Sequence, residues 1–335
     1  MVSTAGGMQP VMLSPPGRFM ERLLMRLSFL LSIALTTVST TAIASGGQVG
    51  AAPARPVAAR VFTYNICGNS NACRHHDEVD IRTQKVASVV RDRMPDFVFL
   101  QETCESQFDD LRGVLRGYTG KFETTVSADT SPELCNENGM AFDYGIAVFA
   151  RGRATDATVL DPSVGVEVSE GWQVPCLKTR VNGREVWGCS VHLYYRDQDV
   201  TAAEAVKLRS LVSPWLKKNV PVILGGDFNP KNGSDQANAP LSPVLNSFYS
   251  HSGGRGKFIE GDETDERRFT PQCRALHPPA GRCRSGAPTF HARPERKLDY
   301  VFFSEAHFTK VHGEVLPQDR EISDHYPYLA AATAD

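Results

Sequence analysis

Six apolar stretches of this chain end or begin in residues that can hold a metal ion or move a proton. The run 60–64 gives way to Asn65, and 97–100 gives way to Gln101 and Glu102. Residues 187–191 close on His192, and 222–226 close on Asp227, Phe228 and Asn229. In the other two the polar residues lead: Asp299 stands before 300–303, and Ser323, Asp324 and His325 stand before 326–330. A single Asp or Asn beside an apolar run is more often a turn former than a ligand. His192 alone reads equally well as a half-buried, satisfied imidazole. If strands of opposite direction pair, however, the ends of one set meet the starts of the other at one sheet edge. That edge gathers Glu102, Asp227, Asp299 and Asp324 with His192 and His325. Carboxylates so close repel one another and resist ionising together, and a divalent cation removes the conflict. Oxygen donors without a Cys or His cage suit Mg²⁺, or Mn²⁺ or Ca²⁺, rather than zinc. A hard cation beside two histidines suits attack of water on a phosphate ester.

The elements that must position these residues are legible in outline. Strand-like runs recur at 60–66, 97–101, 145–150, 174–181, 184–193, 222–226, 298–304 and 326–331. Residues 77–94 read as a helix with Ile81, Val86, Val89 and Val90 near one face. Thr201-Ala-Ala-Glu204 reads as a capping box opening a second helix, with Leu208, Leu211, Val212 and Trp215 on its apolar face. Pro214 is expected to kink that helix or cut it short. Strands and helices alternate only in part, which points to a mixed sheet.

Length, charge and cysteines set the context. The chain has 335 residues, with Lys+Arg 36 against Asp+Glu 38 and a net charge of -2, which excludes a polybasic protein but not a local basic patch. Hydrophobic residues at 41% exclude wholesale disorder. Arg18, Arg22 and Arg26 precede an uncharged stretch, 27–44, that ends in Ala42-Ile43-Ala44. That is the layout of a cleaved secretory signal over 1–44, so the mature protein is expected to be secreted, with no membrane span. A linker rich in small residues occupies 45–59, then one domain 60–332, expected to act as a monomer. In an exported chain, 8 cysteines read as disulfides. Asn182-Gly183 is a hairpin turn signal, and its register sets Cys176 directly opposite Cys189 in a non-hydrogen-bonded pair. Cys67–Cys73 and Cys273–Cys283 are local closures, which leaves Cys104 with Cys135.

The blocks 63–68 (TYNICG), 99–102 (FLQE), 191–193 (VHL), 225–230 (GGDFNP), 297–302 (KLDYVF) and 323–327 (SDHYP) resemble the signature blocks of the endonuclease/exonuclease/phosphatase superfamily, in order. The resemblance implies a four-layer α/β sandwich, two mixed β-sheets packed face to face with helices outside. It implies that Glu102 is the main Mg²⁺ ligand, helped by Asn65 and Asp324, and that Asp299 orients His325. It also implies that Asp227 positions the nucleophilic water while Asn229 and His192 bind phosphate oxygens. His192 is similar to the histidine of deoxyribonuclease I-like and sphingomyelinase branches. Segment 267–297 carries Arg267, Arg268, Arg274, Arg282, Arg284, Arg293, Arg296 and Lys297 against Glu295 alone. It reads as a polyanion footprint, with Arg282, Arg284 and Arg293 as substrate contacts, or as a solvated loop. The expectation is a secreted, metal-dependent phosphodiesterase acting as a nuclease on DNA or RNA. The alternatives are an enzyme cleaving a phospholipid head group, in the manner of sphingomyelinases and phospholipase C, a phosphatase of phosphoinositides or other small molecules, and an inactive binding protein.

Overall fold

The computed structural model describes residues 58–68, 79–137, 139–165, 172–230, 242–251, 254–263, 265–268, 271, 284, 286–291, 295–317 and 322–334. The signal segment, most of the linker, and Cys73, Cys273 and Cys283 lie outside the described residues. In chain order the elements are β1 (Ala58–Asn65), α1 (Val79–Arg93), β2 (Phe97–Cys104), α2 (Glu105–Val114), β3 (Tyr118–Val126), β4 (Asn136–Glu137), β5 (Met140–Ala141), β6 (Tyr144–Arg151), β7 (Asp156–Leu160), β8 (Val174–Val181), β9 (Arg184–His192), α3 (Gln198–Lys217), β10 (Val222–Asp227), β11 (Phe258–Glu260), β12 (Asp299–Ser304), β13 (Phe308–Val315) and β14 (Tyr328–Ala334).

Two six-stranded sheets carry the fold, in the orders β13-β14-β1-β2-β6-β3 and β11-β12-β10-β9-β8-β7. Each is mixed: β1 runs parallel to β2 and antiparallel to β14, and β10 runs parallel to β9 and antiparallel to β12. Between the sheets lie Phe97, Phe99 and Val148 from one and Leu177, Ile223, Val301 and Phe303 from the other, all buried. On the outer face of the first sheet, Val86, Val90, Phe108 and Leu111 of α1 and α2 pack on Phe62, Leu100 and Phe149. On the outer face of the second, Leu208 and Val212 of α3 pack on Val222, Leu224 and Phe302. The result is the expected four-layer α/β sandwich.

The eight apolar runs recognised in the sequence are β1, β2, β6, β8, β9, β10, β12 and β14, the interior strands of the two sheets. The β8–β9 hairpin has the expected register, with Cys176 opposite Cys189, a Cα–Cα distance of 4.1 Å, and a disulfide between them. Asn182 and Gly183 take φ 53° and 83°, the left-handed values that a tight hairpin turn requires. Cys104 is joined to Cys135. Cys67 is also disulfide-bonded.

Three expectations about the chain's organisation are corrected by the structure. The linker ends earlier, because Ala58 and Ala59 already pair with Thr333 and Ala332. The second helix starts at Gln198 rather than Thr201, because Asp197 is its cap and accepts from the backbone N–H groups of Asp199 and Val200. Thr201 instead donates its hydroxyl to the carbonyls of Tyr194 and Asp197. Pro214 does not end the helix, which continues to Lys217.

Glu204, the other half of the expected capping box, is 1% exposed and accepts a hydrogen bond from the Tyr194 N–H at 2.8 Å. It thereby pins the loop after His192. Burial pushes its carboxyl up to about 7 in spite of that bond. The folded chain therefore holds this proton more tightly than the unfolded chain, and stability falls as pH rises from the ordinary 4.5 through about 7. Glu204→Gln keeps an acceptor and removes the charge. Across that window the variant should gain on the wild type by roughly 3 kcal/mol, read from urea unfolding. Parallel stability–pH curves would contradict this account of Glu204.

Candidate active site

The strand ends deliver the chemical residues to one place. Asp227, the last residue of β10, pairs with His192 at the end of β9 and with Asp299 at the start of β12. Asn65 ends β1 beside Gln101 of β2. A chain of polar contacts crosses between the sheets here. Gln101 Nε2 donates to Ser190 Oγ at 3.1 Å, and Ser190 Oγ donates to the Leu100 carbonyl at 3.3 Å. The second glycine of the Gly225-Gly226 pair lets β10 run close against β9 and leaves room for the Gln101 amide from the other sheet. Gly226 has φ 145°, and a Cβ there would stand 1.9 Å from the Val191 carbonyl oxygen and 2.9 Å from Gln101 Nε2.

Glu102 sits in a bulge of β2, where the register with β6 shifts between Leu100 and Thr103, and takes φ 53°. The bulge turns its carboxylate out of the sheet into the cleft, at the cost of a backbone conformation that side chains other than glycine disfavour. Asn65 Nδ2 donates to Glu102 Oε1 at 2.8 Å and lies 3.4 Å from Asp227 Oδ2. Asn65 Oδ1 accepts from the Cys67 N–H at 3.0 Å. Asn65 therefore holds the Glu102 carboxylate in place through its amide nitrogen. Ser323 Oγ donates to the Asn65 carbonyl at 2.7 Å and accepts from the His325 N–H at 3.0 Å, tying the 323–325 segment to the end of β1.

His325 Nδ1 lies 2.8 Å from Asp299 Oδ2, and its Nε2 lies 3.6 Å from Asp227 Oδ2. His192 Nε2 is 3.7 Å from the same Asp227 oxygen. Asp227 Oδ2 is thus set between two imidazoles, while its Oδ1 accepts from the Asn229 N–H at 2.9 Å. Asn229 takes φ 47° and donates one side-chain N–H to the Leu193 carbonyl at 2.9 Å, which leaves a second N–H over. Asp324, half-buried, lines the same cleft as Glu102, His192, Asp227, Asn229 and His325. The structure brings together all eight residues that the sequence assigns to metal binding and catalysis.

Their environments drive the titrations apart. Burial pushes the Asp227 carboxyl up to about 8, although the His325 charge pulls the other way. Burial alone would lower His325, but Asp299 and Asp227 outweigh it and lift the imidazolium to about 10. His192 is driven down to about 3, first by burial and then by the His325 charge, so it is neutral at working pH. Trp172 closes over it, ring centroids 4.2 Å apart. Glu102 is also raised, by burial against the opposing hydrogen bond from Asn65. Groups pushed apart in this way divide base and acid roles between them.

The donor set fits a hard divalent cation. Glu102 and Asp324 are close enough for the Asp324 charge to raise Glu102, so a bound cation relieves both burial and repulsion. Asp227, Asp299 and His325 also bring ligand-type atoms within 4.8 Å of one another. Their hydrogen bond reads better as a carboxylate orienting an imidazole than as a second cation site. Glu102 with Asp324 is the better-suited pair.

The cleft, about 530 Å³, has walls that the motif blocks did not reveal: Leu134, Tyr144, Trp172, Tyr195, Phe290 and Arg296. The basic segment resolves into unlike parts. Arg284 is buried, donates to Asn246 Oδ1 at 2.7 Å and lies over the Tyr249 ring, so it does not line the cleft as a substrate contact. Lys297 is buried between Asp262 Oδ1 at 2.9 Å and Glu260 Oε1 at 3.4 Å. Arg282 and Arg293 lie outside the described residues. Arg296 alone of that segment's cations lines the cleft, among the described residues.

The model of the Endonuclease/Exonuclease/phosphatase family matches residues 62–325. The chain belongs to this family. It is accordingly a hydrolase of phosphate ester bonds, in a family whose members use divalent metals. Among solved structures, an endonuclease/exonuclease/phosphatase from Bacteroides vulgatus is similar at 17% identity and a TM-score of 0.61, covering 83% of this chain and 100% of that one. The mannosyl-6-phosphatase of Bacteroides thetaiotaomicron is similar at 19% identity and a TM-score of 0.55, covering 82% of this chain and 98% of that one. D. rerio TDP2, complexed with single strand DNA product, is similar at 15% identity and a TM-score of 0.55, again covering 82% and 98%. At these identities the likeness is one of fold. No curated protein sequence matches the chain.

Proposed function

We propose that this family member is a secreted, Mg²⁺-dependent phosphodiesterase that cleaves extracellular nucleic acid. The observation that carries the reading is Asp227 Oδ2 held between His192 and His325, with Asp299 behind His325 and Glu102 alongside. Asp227, raised to about 8, is tuned to take a proton from an attacking water near neutral pH. His325, kept cationic by Asp299, faces the developing charge on the phosphoryl oxygens. His192, neutral, and Asn229 offer hydrogen bonds to the same oxygens without adding charge. Glu102 and Asp324 hold the cation, and Asn65 keeps Glu102 in register for it. When bound, Mg²⁺ supplies Lewis-acid neutralisation of the phosphate.

Arg296 in the cleft wall and the single strand DNA product on the similar D. rerio TDP2 favour nucleic acid. The similar mannosyl-6-phosphatase favours the rival reading, a small phosphorylated substrate. The signal-like segment at 27–44 and the disulfides Cys104–Cys135 and Cys176–Cys189 support export. With Mg²⁺, purified mature protein is expected to nick supercoiled plasmid and to leave mannose 6-phosphate intact. Turnover of the monoester alone would overturn the nuclease reading.

A further inference from the structure

The second sheet places its two flanks symmetrically about the reacting centre. β9 and β12 are the neighbours of β10, so the residues after His192 and the residues before Asp299 stand on opposite sides of Asp227. Three residues past His192 comes Tyr195, and three residues before Asp299 comes Arg296. Both line the catalytic cleft.

The two flanks differ in chemistry. Tyr195 is 50% exposed and is the only aromatic among the exposed large hydrophobic side chains of the described residues. An aromatic ring left half in water at the mouth of a catalytic cleft offers a face on which another ring can stack. Arg196 lies 5.2 Å from its centroid and donates to its hydroxyl at 2.8 Å, which fixes the ring and adds a positive charge. On the other flank Arg296 lies over the half-buried Phe290 ring, 5.2 Å from the centroid, as Arg196 lies over the more exposed Tyr195, and backbone bridges join Phe290 to both Arg296 and His325. Among the described residues no carboxylate pairs with Arg296. That flank therefore presents a positioned cation.

We propose that the cleft takes a single nucleic-acid strand, with a base stacked on Tyr195 on one side of the scissile phosphate and a neighbouring phosphate on Arg296 on the other. This rests on the nuclease reading and narrows its substrate. In a duplex both faces of each base are covered by its neighbours, so an exposed ring at the cleft gains a stacking partner only from an unpaired base. A guanidinium placed on a backbone phosphate carries no sequence information, so the strand is bound with little regard to sequence.

The test compares a short single-stranded oligonucleotide, its duplex and bis(p-nitrophenyl) phosphate, a diester without flanking nucleotides. The wild type should cleave the single strand faster than the duplex. Tyr195→Ala should raise KM for the single strand about tenfold, the scale of one lost base stack, with Tyr195→Phe restoring it. Arg296→Gln should flatten the salt dependence of KM by about 0.7 in log–log slope, one phosphate contact on a single strand, with Arg296→Lys retaining the slope. For both Tyr195→Ala and Arg296→Gln the loss should be larger on the oligonucleotide than on the small diester. Equal losses on both substrates, or a wild type that prefers duplex, would overturn the strand proposal while leaving a nuclease. Turnover of bis(p-nitrophenyl) phosphate or sphingomyelin with no cleavage of any nucleic acid would overturn the nuclease reading itself.

Discussion

Replacing His325 by alanine is expected to lower kcat about a thousandfold while the protein still folds. The imidazole is buried against Asp299 and Asp227, and among the described residues no other cationic side chain forms an ion pair with Asp227, because His192 is held neutral. The pH profile carries the same information. If Asp227 must lose its proton and His325 must keep its own, kcat rises with pH through about 8 and falls above about 10. In the alanine variant the upper limb should vanish, since the group that causes it is gone. A variant with turnover near that of the wild type, or one that keeps the upper limb, would remove His325 from the reaction.

The second large effect concerns Glu102. Excess chelator is expected to abolish hydrolysis, and added Mg²⁺ to restore it. Glu102→Gln should weaken Mg²⁺ binding, measured by calorimetry, by more than the roughly 10- to 100-fold that loss of an outer partner of a metal ligand costs. Without metal, the same variant should melt no lower than the wild type. It keeps an acceptor for Asn65 and sheds a carboxylate that burial disfavours. A lower metal-free melting temperature with unchanged Mg²⁺ affinity would make Glu102 a structural residue.

How much of this architecture is legible in the residues depends on where the strands lie. The eight interior strands are flanked on both sides, and most carry long buried runs, such as Tyr144–Arg151 with seven of its eight residues buried, while Tyr328–Ala334 alternates. In the two large sheets the strands without a readable run, β3, β7, β11 and β13, are the four sheet edges. Tyr118–Val126 and Phe308–Val315 are half-exposed along most of their length, and neither shows a clean alternation. An edge strand buries little and takes its pairing from a neighbour, so its pattern is weak. Helix α2 is hard to read for a related reason, since only Gln107, Phe108 and Leu111 of its ten residues are buried.

The site divides along similar lines. Residues at the ends of interior strands are visible because a hydrophobic run points at each of them. Tyr195, Phe290 and Arg296 lie in connections, where neither spacing nor apolar pattern marks them. The basic segment misleads because a count of charges does not distinguish Arg296 in the cleft from Arg284 and Lys297, which are buried against Asn246 and against Glu260 and Asp262. Asn65 belongs to the site as expected, but its amide orientation depends on the Cys67 N–H, which only the folded backbone supplies.

The measurement that bears most directly on the central claim is the nicking of supercoiled plasmid by purified mature protein in Mg²⁺, with Asp227→Ala prepared and assayed in parallel. The account predicts nicking by the wild type and none by the variant, because Asp227 Oδ2 is the oxygen on which both histidines and Asn65 converge. Equal nicking by both proteins would contradict the assignment of this cleft as the catalytic centre. A folded, Mg²⁺-binding wild type that leaves both the plasmid and a single-stranded oligonucleotide intact would contradict the nuclease reading.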